Sequence, residues 1–389
     1  MRLVVWLCAA AALSAALGVQ AQAAAWGLKL TGLGAAPVAD GNEPSARATI
    51  EPSVKWKGAD LEMRGRARLR WLNQHDDERR DVHVRELTLA WRRAETTLTL
   101  GAQQLNWGRM DILRVTDVIN PVDQHDLFHE ELPEAKLALW MANLEWQSGS
   151  HTLQLVATPQ VPIDRLPRRF GGLPVSVDEP GNAWRNATAA VRYGFEADGW
   201  NADLMASRGW HSAPALRPVV DAAGLRLQGV MSRQSSLGFS ADKPIGGTVL
   251  RIEGLAARIS PDDSAAASGV STRRHASLGI GLDVRAGGWF VAGQVIGQHE
   301  RDTLTGRSNN AFVSLIVQRK WMQDRLAARA LHIRETRGSS SWSSLQASYE
   351  LSPHQVLQVQ GDWFEGEPTQ PFGSFSSRSR IAASVRVDF

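Results

Sequence analysis

From Leu61 to Trp71 the chain changes character at every step. Leu61, Met63, Gly65, Ala67, Leu69 and Trp71 are apolar or small, and Glu62, Arg64, Arg66, Arg68 and Arg70 fall between them. A period of two puts each set on its own face of a strand, whereas a helix would mix them. A single strand of this kind also fits a soluble sandwich. Many such strands of about ten residues, joined alternately by short and long connections, make the pattern of an outer-membrane barrel.

Short turn-like links occur at 57–60, 92–95, 147–150, 196–199, 243–247, 285–288, 322–324 and 352–354. Longer polar or Pro-rich segments lie between them, at 37–46, 72–82, 106–135, 159–183, 210–223, 260–272, 301–308, 336–341 and 366–376. Gly, Pro, Asn, Asp and Ser mark these breaks because they suit turn conformations. The alternation predicts an all-β, antiparallel transmembrane barrel of about eighteen strands, running from 26–35 to 377–389, with both termini periplasmic. Sixteen strands follow if 26–35 lies outside the wall. The last ten residues place Ile381, Ala383, Val385, Val387 and the terminal Phe389 on one face. That resembles the C-terminal signal read by the outer-membrane assembly machinery, which is therefore an expected partner, with Phe389 as the key residue.

Hydrocarbon leaves no partner for an open sheet edge, so the wall must close on itself. Leu278, Ile280, Leu282 and Val284 form a lipid-side set, and the lumen side is expected to be polar, including Arg251, Glu253, Gln358, Gln360, Arg378, Arg380 and Arg386. Fifteen Trp against two Tyr suits interfacial girdles, with Trp56, Trp71, Trp91, Trp146, Trp200 and Trp289 near strand ends.

Residues 1–23 read as a signal peptide, with Arg2, an apolar run from Leu3 to Val19 and a small-x-small site at Ala21–Ala23, leaving 24–389 as one barrel. The single cysteine, Cys8, lies within that leader, so no disulfide or thiolate metal site is expected. Beyond the leader no stretch approaches the roughly 20 apolar residues of a spanning helix. The expected location is the outer membrane of a Gram-negative bacterium, in contact with its lipid and lipopolysaccharide. A formal net charge of +3 is too small to suggest nucleic-acid binding.

Two features carry candidate function. Arg64, Arg66, Arg68 and Arg70 form a basic ladder on one strand face, and such rows line anion-conducting pores or knit cross-strand charge networks. With Arg251 and Glu253 they are the expected pore-lining residues. Segment 106–135 is acidic, through Asp111, Asp117, Asp123, Asp126, Glu130, Glu131 and Glu134, yet it also carries Ile112, Leu113, Val115, Val118 and Ile119. Such a loop is expected to fold into the lumen as a constriction, opposing the basic wall with a transverse field. His125 and His129 sit four apart beside Glu130 and Glu131, but no third ligand can be named, and a solvated loop fits better than a metal site. A Pro-rich loop at 159–183 carries Arg165, Arg168 and Arg169 toward the mouth.

Within the acidic segment, Gln104, Trp107 and Gly108, then Asn120, Pro121 and Asp123, then Leu132 to Lys136, resemble a loosely defined group of Gram-negative outer-membrane barrels of unknown function. About 35 residues carry this resemblance. It implies a porin-like barrel, and, since some members are encoded beside RND-type exporters, an inner-membrane transporter as a partner. Asn120–Pro121 reads as a turn initiator, and Trp107 as an indole at the membrane interface. No G-x-S-x-G, phosphate loop or dinucleotide fingerprint occurs, the histidines are scattered, and no cofactor or enzymatic activity is expected. The reading is a channel for small polar, anionic solutes. An exporter or lipid-transfer component is the alternative, with a barrel enzyme third.

Overall fold

A computed structural model describes residues 24–389 except 39–43, 75–76, 126–131, 171–172, 223, 263–269, 305 and 369. The expected signal peptide, 1–23, lies outside the described residues. Seven strands come first: β1 (Ala25–Pro37), β2 (Ser45–Lys57), β3 (Leu61–Gln74), β4 (Asp77–Arg93), β5 (Thr96–Gln103), β6 (Leu139–Ser148) and β7 (His151–Thr158). A short hairpin of β8 (Arg169–Phe170) and β9 (Leu173–Val177) follows. Next come β10 (Thr188–Ala197), β11 (Trp200–Asp221), β12 (Gly224–Ile245), β13 (Thr248–Pro261), β14 (Arg273–Ala286) and β15 (Trp289–Asp302). The last are β16 (Gly306–Trp321), β17 (Leu326–Glu335), β18 (Ser341–Ser352), β19 (Gln355–Glu365) and β20 (Arg380–Asp388).

All except β8 and β9 form the wall. Each wall strand pairs antiparallel with its neighbour, β10 follows β7 directly, and β20 closes on β1 from Lys29↔Asp388 to Pro37↔Arg380. The barrel therefore has eighteen strands and no free edge, and β1 belongs to it. Both described ends lie on the side of the short turns, where Phe389 N–H donates to Leu28 O at 2.8 Å.

All eight short links fall where the sequence places them. Three of the segments expected to be long loops are instead largely strand. Residues 72–82 are mostly in β3 and β4, 210–221 in β11, and 301–308 mostly in β15 and β16. The 22-residue strands β11 and β12 outrun a bilayer, and one bulge between His211 and Ala215 absorbs the irregularity. Backbone pairing continues there in water, where lipid no longer dictates which side chains may face outward.

Leu278, Ile280 and Leu282 lie exposed on the outer face, as do Leu204, Val295, Leu315 and Leu345 on other strands. Trp26, Trp91, Trp146, Trp289 and Trp321 are exposed within two residues of the short-turn ends of their strands, forming an aromatic belt on that side. Arg319 sits over Trp289 and Trp321, at 4.9 and 5.4 Å from the ring centroids. This is an outer-membrane protein.

The inner face corrects the expectation of a polar lining. Met141, Val156, Ala190, Met205, Leu255, Ile296, Ile316 and Ile333 are apolar wall residues that point inward and are buried. They form cores against the long loop inside the barrel, not against lipid.

Candidate functional site

The segment between β5 and β6 enters the lumen and is fastened to walls on opposite sides. It leaves β5 at Gln103, and Trp107 immediately buries its indole against Met141, Val156 and Met205, donating Nε1–H to Gln154 at 2.9 Å. The expected interfacial role of Trp107 is thereby corrected: its partners are inside the barrel. Gly108 is needed at this point because a Cβ would lie 3.1 Å from Asp117 Cβ, where the loop doubles back on itself.

Glu253 of β13 organises the turn that follows. It is fully buried and accepts from Arg109 N–H, Met110 N–H (2.8 Å), Thr116 N–H (3.2 Å) and the Thr116 hydroxyl (2.8 Å). Arg109 pairs with Asp203 and Asp242, and Arg251 reaches Arg109 O (2.8 Å), Asp111 (3.1 Å) and Asp283. Ile112 and Leu113 then insert among the buried apolar residues of β15–β19. Arg251 and Glu253 are thus anchors of the loop more than a free pore lining.

On its return the loop is shaped by Asn120. Its Oδ1 accepts from Leu105 N–H (2.8 Å), and its amide donates to Gln103 O (3.1 Å) and Leu137 O (2.8 Å), so one side chain joins three backbone segments. Pro121 O accepts from Leu137 N–H, and Gln104 donates to Lys136 O at 2.6 Å. Lys136 itself is buried against Asp117 and Leu105 O. The residues that carry the family resemblance therefore build the loop.

The basic ladder receives the loop on the other side. Arg68 pairs with Glu51 and Glu134, Arg70 with Asp123 and, at 3.6 Å, with Asp81, and Arg64 with Glu62 at 2.5 Å. Arg66 shares this inward face. His125 contacts Asp123 (2.7 Å) and Arg79, while Arg378, from the loop between β19 and β20, donates to His125 O (3.0 Å). Burial alone would raise the Asp123 pKa, but His125, Arg70 and Arg165 hold it far below the ordinary range. Glu134 is lowered in the same way, burial being outweighed by Arg68, Lys29 and Arg85. Burial depresses Lys136 despite Asp117.

The expected transverse field is corrected by these contacts. Acids and bases stand in direct pairs, not on opposite sides of an open passage, so their fields cancel at short range. Asp126, Glu130 and Glu131, with His129, lie outside the described residues. Among the described residues no three metal-ligating side chains come together.

Sequence reasoning missed Arg85. The register between β3 and β4 slips there: Arg66 faces Glu86 and Ala67 faces Val84, leaving Arg85 as the extra residue of a bulge. It is buried and donates to Glu134 O (2.6 Å), Lys136 O (2.7 Å) and Glu134 Oε2 (3.3 Å). The slip appears in the sequence only as two successive charges, Arg85–Glu86, where alternation breaks. His332, read as isolated, meets Ser343 at 2.9 Å on the outer face, but among the described residues no carboxylate bonds that imidazole.

Between the loop and the arc from β15 through β20 to β3 lies a cavity of about 910 Å³. Thr31, Thr49, Gln318, Gln346, Gln358 and Gln360 give it a neutral polar wall. Seven basic residues (Lys29, Arg47, Arg68, Arg114, Lys136, Arg329, Arg386) and five acidic ones (Glu51, Asp111, Asp117, Glu134, Glu253) line it.

These features define an eighteen-stranded outer-membrane barrel of porin-like fold with an inwardly folded loop. No family model matches the chain, and no curated protein sequence does. Among solved structures it is similar to OccAB1 of Acinetobacter baumannii, with TM-score 0.56 and 9% identity over 94% of this chain and 95% of that one. OccK5 (OpdH) of Pseudomonas aeruginosa gives 0.55 and 12% over 94% and 96%. OmpT, an outer-membrane protein of Vibrio cholerae, gives 0.52 and 8% over 94% and 97%. At these identities the likeness shows the fold.

Proposed function

We propose that the protein is an outer-membrane channel for small polar solutes with a preference for anions. The cavity beside the loop carries the reading: it is roomy enough for a small solute, and amides and hydroxyls on its wall can exchange hydrogen bonds with a passing molecule without holding it. Its seven bases outnumber its five acids. All five of those acids are already engaged by cations or backbone donors of the loop and wall: Glu51 by Arg68, Glu134 by Arg85, Asp117 by Lys136, Asp111 by Arg251 and Glu253 by the loop backbone. Arg329 and Arg386 face the same space from β17 and β20. A low-dielectric wall with surplus guanidinium charge concentrates anions over cations. Planar-bilayer recording of the refolded protein under a KCl gradient tests this. Discrete open steps with a reversal potential displaced toward that of chloride are expected. Reversal at the potassium potential removes the anion preference, and a membrane that stays silent removes the channel.

A further inference from the structure

The outer face of the barrel carries a second concentration of charge, unconnected with the lumen. Arg258 of β13, Arg274 of β14, Arg301 of β15 and Arg307 of β16 are direct cross-strand neighbours, paired in register as Arg258↔Arg274, Arg274↔Arg301 and Arg301↔Arg307. Each shares the outward face of its strand with lipid-side residues such as Ala256, Leu278 and Val295, and each is exposed. Arg208 of β11 continues the row, with Ser235 of β12 between it and Arg258. Among the described residues none of these five arginines has a carboxylate partner. Adjacent strands run about 4.8 Å apart, and like charges placed directly opposite each other are destabilising. The inward pairs of the lumen show how this chain neutralises arginines when its own acids do so. Here, among the described residues, it supplies none.

Below the row lies a depression of about 820 Å³ in the outer surface. Its floor is made of small side chains, chiefly Ala189, Ala206, Ala256 and Ala276, and Leu237 stands exposed beside it. Arg258, Arg274, Arg301 and Arg307 lie within three residues of the strand ends remote from the termini and from the Trp belt. That is the long-loop side, which faces outward in outer-membrane barrels. An apolar groove at hydrocarbon level, capped by a row of guanidinium groups at headgroup level, has the chemistry of one ligand class: a phosphorylated, multiply acylated lipid. Guanidinium pairs bidentately with phosphate and keeps its charge when half desolvated.

The geometry points to a docking site on β11–β16 for the phosphorylated lipid of the outer leaflet, lipopolysaccharide through its lipid A part, with phosphates on the arginine row and acyl chains over the alanine floor. Native mass spectrometry of the full barrel in detergent, titrated with purified bis-phosphorylated lipid A, reads binding directly. Retained adducts are expected, weakened about tenfold or more in the triple variant Arg258→Gln/Arg274→Gln/Arg301→Gln. The corresponding Arg→Lys triple variant should keep part of the binding. Inorganic pyrophosphate in excess should displace lipid A poorly, because it lacks the acyl contacts, and Ala256→Trp, which fills the groove, should weaken lipid A while leaving the arginines in place. Unequal single-channel behaviour is not expected, since the row lies outside the lumen, and conductance like that of the parent shows that each variant is folded. Equal retention of dephosphorylated lipid A, or undiminished binding by the folded Gln variant, overturns the proposal.

Discussion

Glu253→Gln is the smallest change that should release the internal loop. The wild-type carboxylate offers both oxygens: Oε1 to the Arg109 and Met110 amides, Oε2 to the Thr116 amide and hydroxyl. Glutamine keeps the volume but replaces one oxygen by an NH₂ donor. With the NH₂ toward Arg109 and Met110, two backbone donors face a donor. With it toward Thr116, the backbone N–H does, while the hydroxyl can turn to donate to Trp107 O and accept from the amide. In either case the surviving oxygen no longer carries charge. A hydrogen bond to a charged group contributes about 1.5–3 kcal/mol, so losing at least one costs about that much. At about 1.4 kcal/mol per decade, the ratio of docked to undocked loop falls by about ten- to a hundredfold. The residue lies on β13, so the wall itself should survive, and a folded barrel should still migrate anomalously on an unheated gel. Single-channel recording should then show larger and noisier conductance, because segment 109–116 no longer holds its place beside the cavity. Conductance and noise identical to wild type in a folded Glu253→Gln barrel would refute the view that this carboxylate holds the loop.

Three further outcomes follow from the same geometry. Arg85→Leu removes the Arg85 hydrogen bonds from Glu134 O and Lys136 O, which keep Arg68 and Gln104, together with the pairing to the Glu134 carboxylate. It should destabilise the protein by roughly 1–3 kcal/mol, read as a lowered thermal midpoint; an unchanged midpoint would make the bulge incidental. Arg68→Ala removes one positive charge from the cavity wall, leaving Glu51 to Lys29 and Glu134 to Arg85, and should move the reversal potential toward that of the cation, whereas no movement would mean that this cluster does not face the solute path. Asp123 and Glu134 have folded pKa values below their unfolded ones, so their contribution to loop docking is complete above about pH 4.5 and is lost as pH falls through the folded values. Conductance should hold steady from pH 7 to 5 and change only in stronger acid, and a transition at pH 5–6 would place control elsewhere.

What the chain disclosed on inspection was whatever the bilayer enforces. Gly149, Gly199, Gly246 and Gly287 take positive φ in the short turns, and such turns were readable because only a few residue types can make them. The alternation of β3 was readable because its two faces meet solvents of opposite kind. Where that constraint lapses, so does the signal. In β13 the inward set runs Arg251, Glu253, Leu255, Ala257 and Ile259, polar near one end, where Arg251 and Glu253 bond the loop, and apolar from Leu255 on, which packs against Met110 and Val115 of the loop. Read by polarity alone, Arg258 would be placed inside. The same ambiguity hid the outer arginine row, whose members become neighbours only through the register of four strands. Gln104, Trp107, Gly108, Asn120, Pro121 and Asp123 stood out as a motif, yet their common task, holding three backbone segments and a ladder arginine together, needed the distances.

The loop's attachment to both β3–β4 and β13 has a mechanical corollary. A strut spanning a tube fixes its bore against squeezing by the surrounding lipid, and it sets the passage off-centre. Holding and conducting then fall to different stretches of one wall. Glutamines and serines on β16, β18, β19 and β20 can change to suit another solute, with little consequence for how the tube stands up.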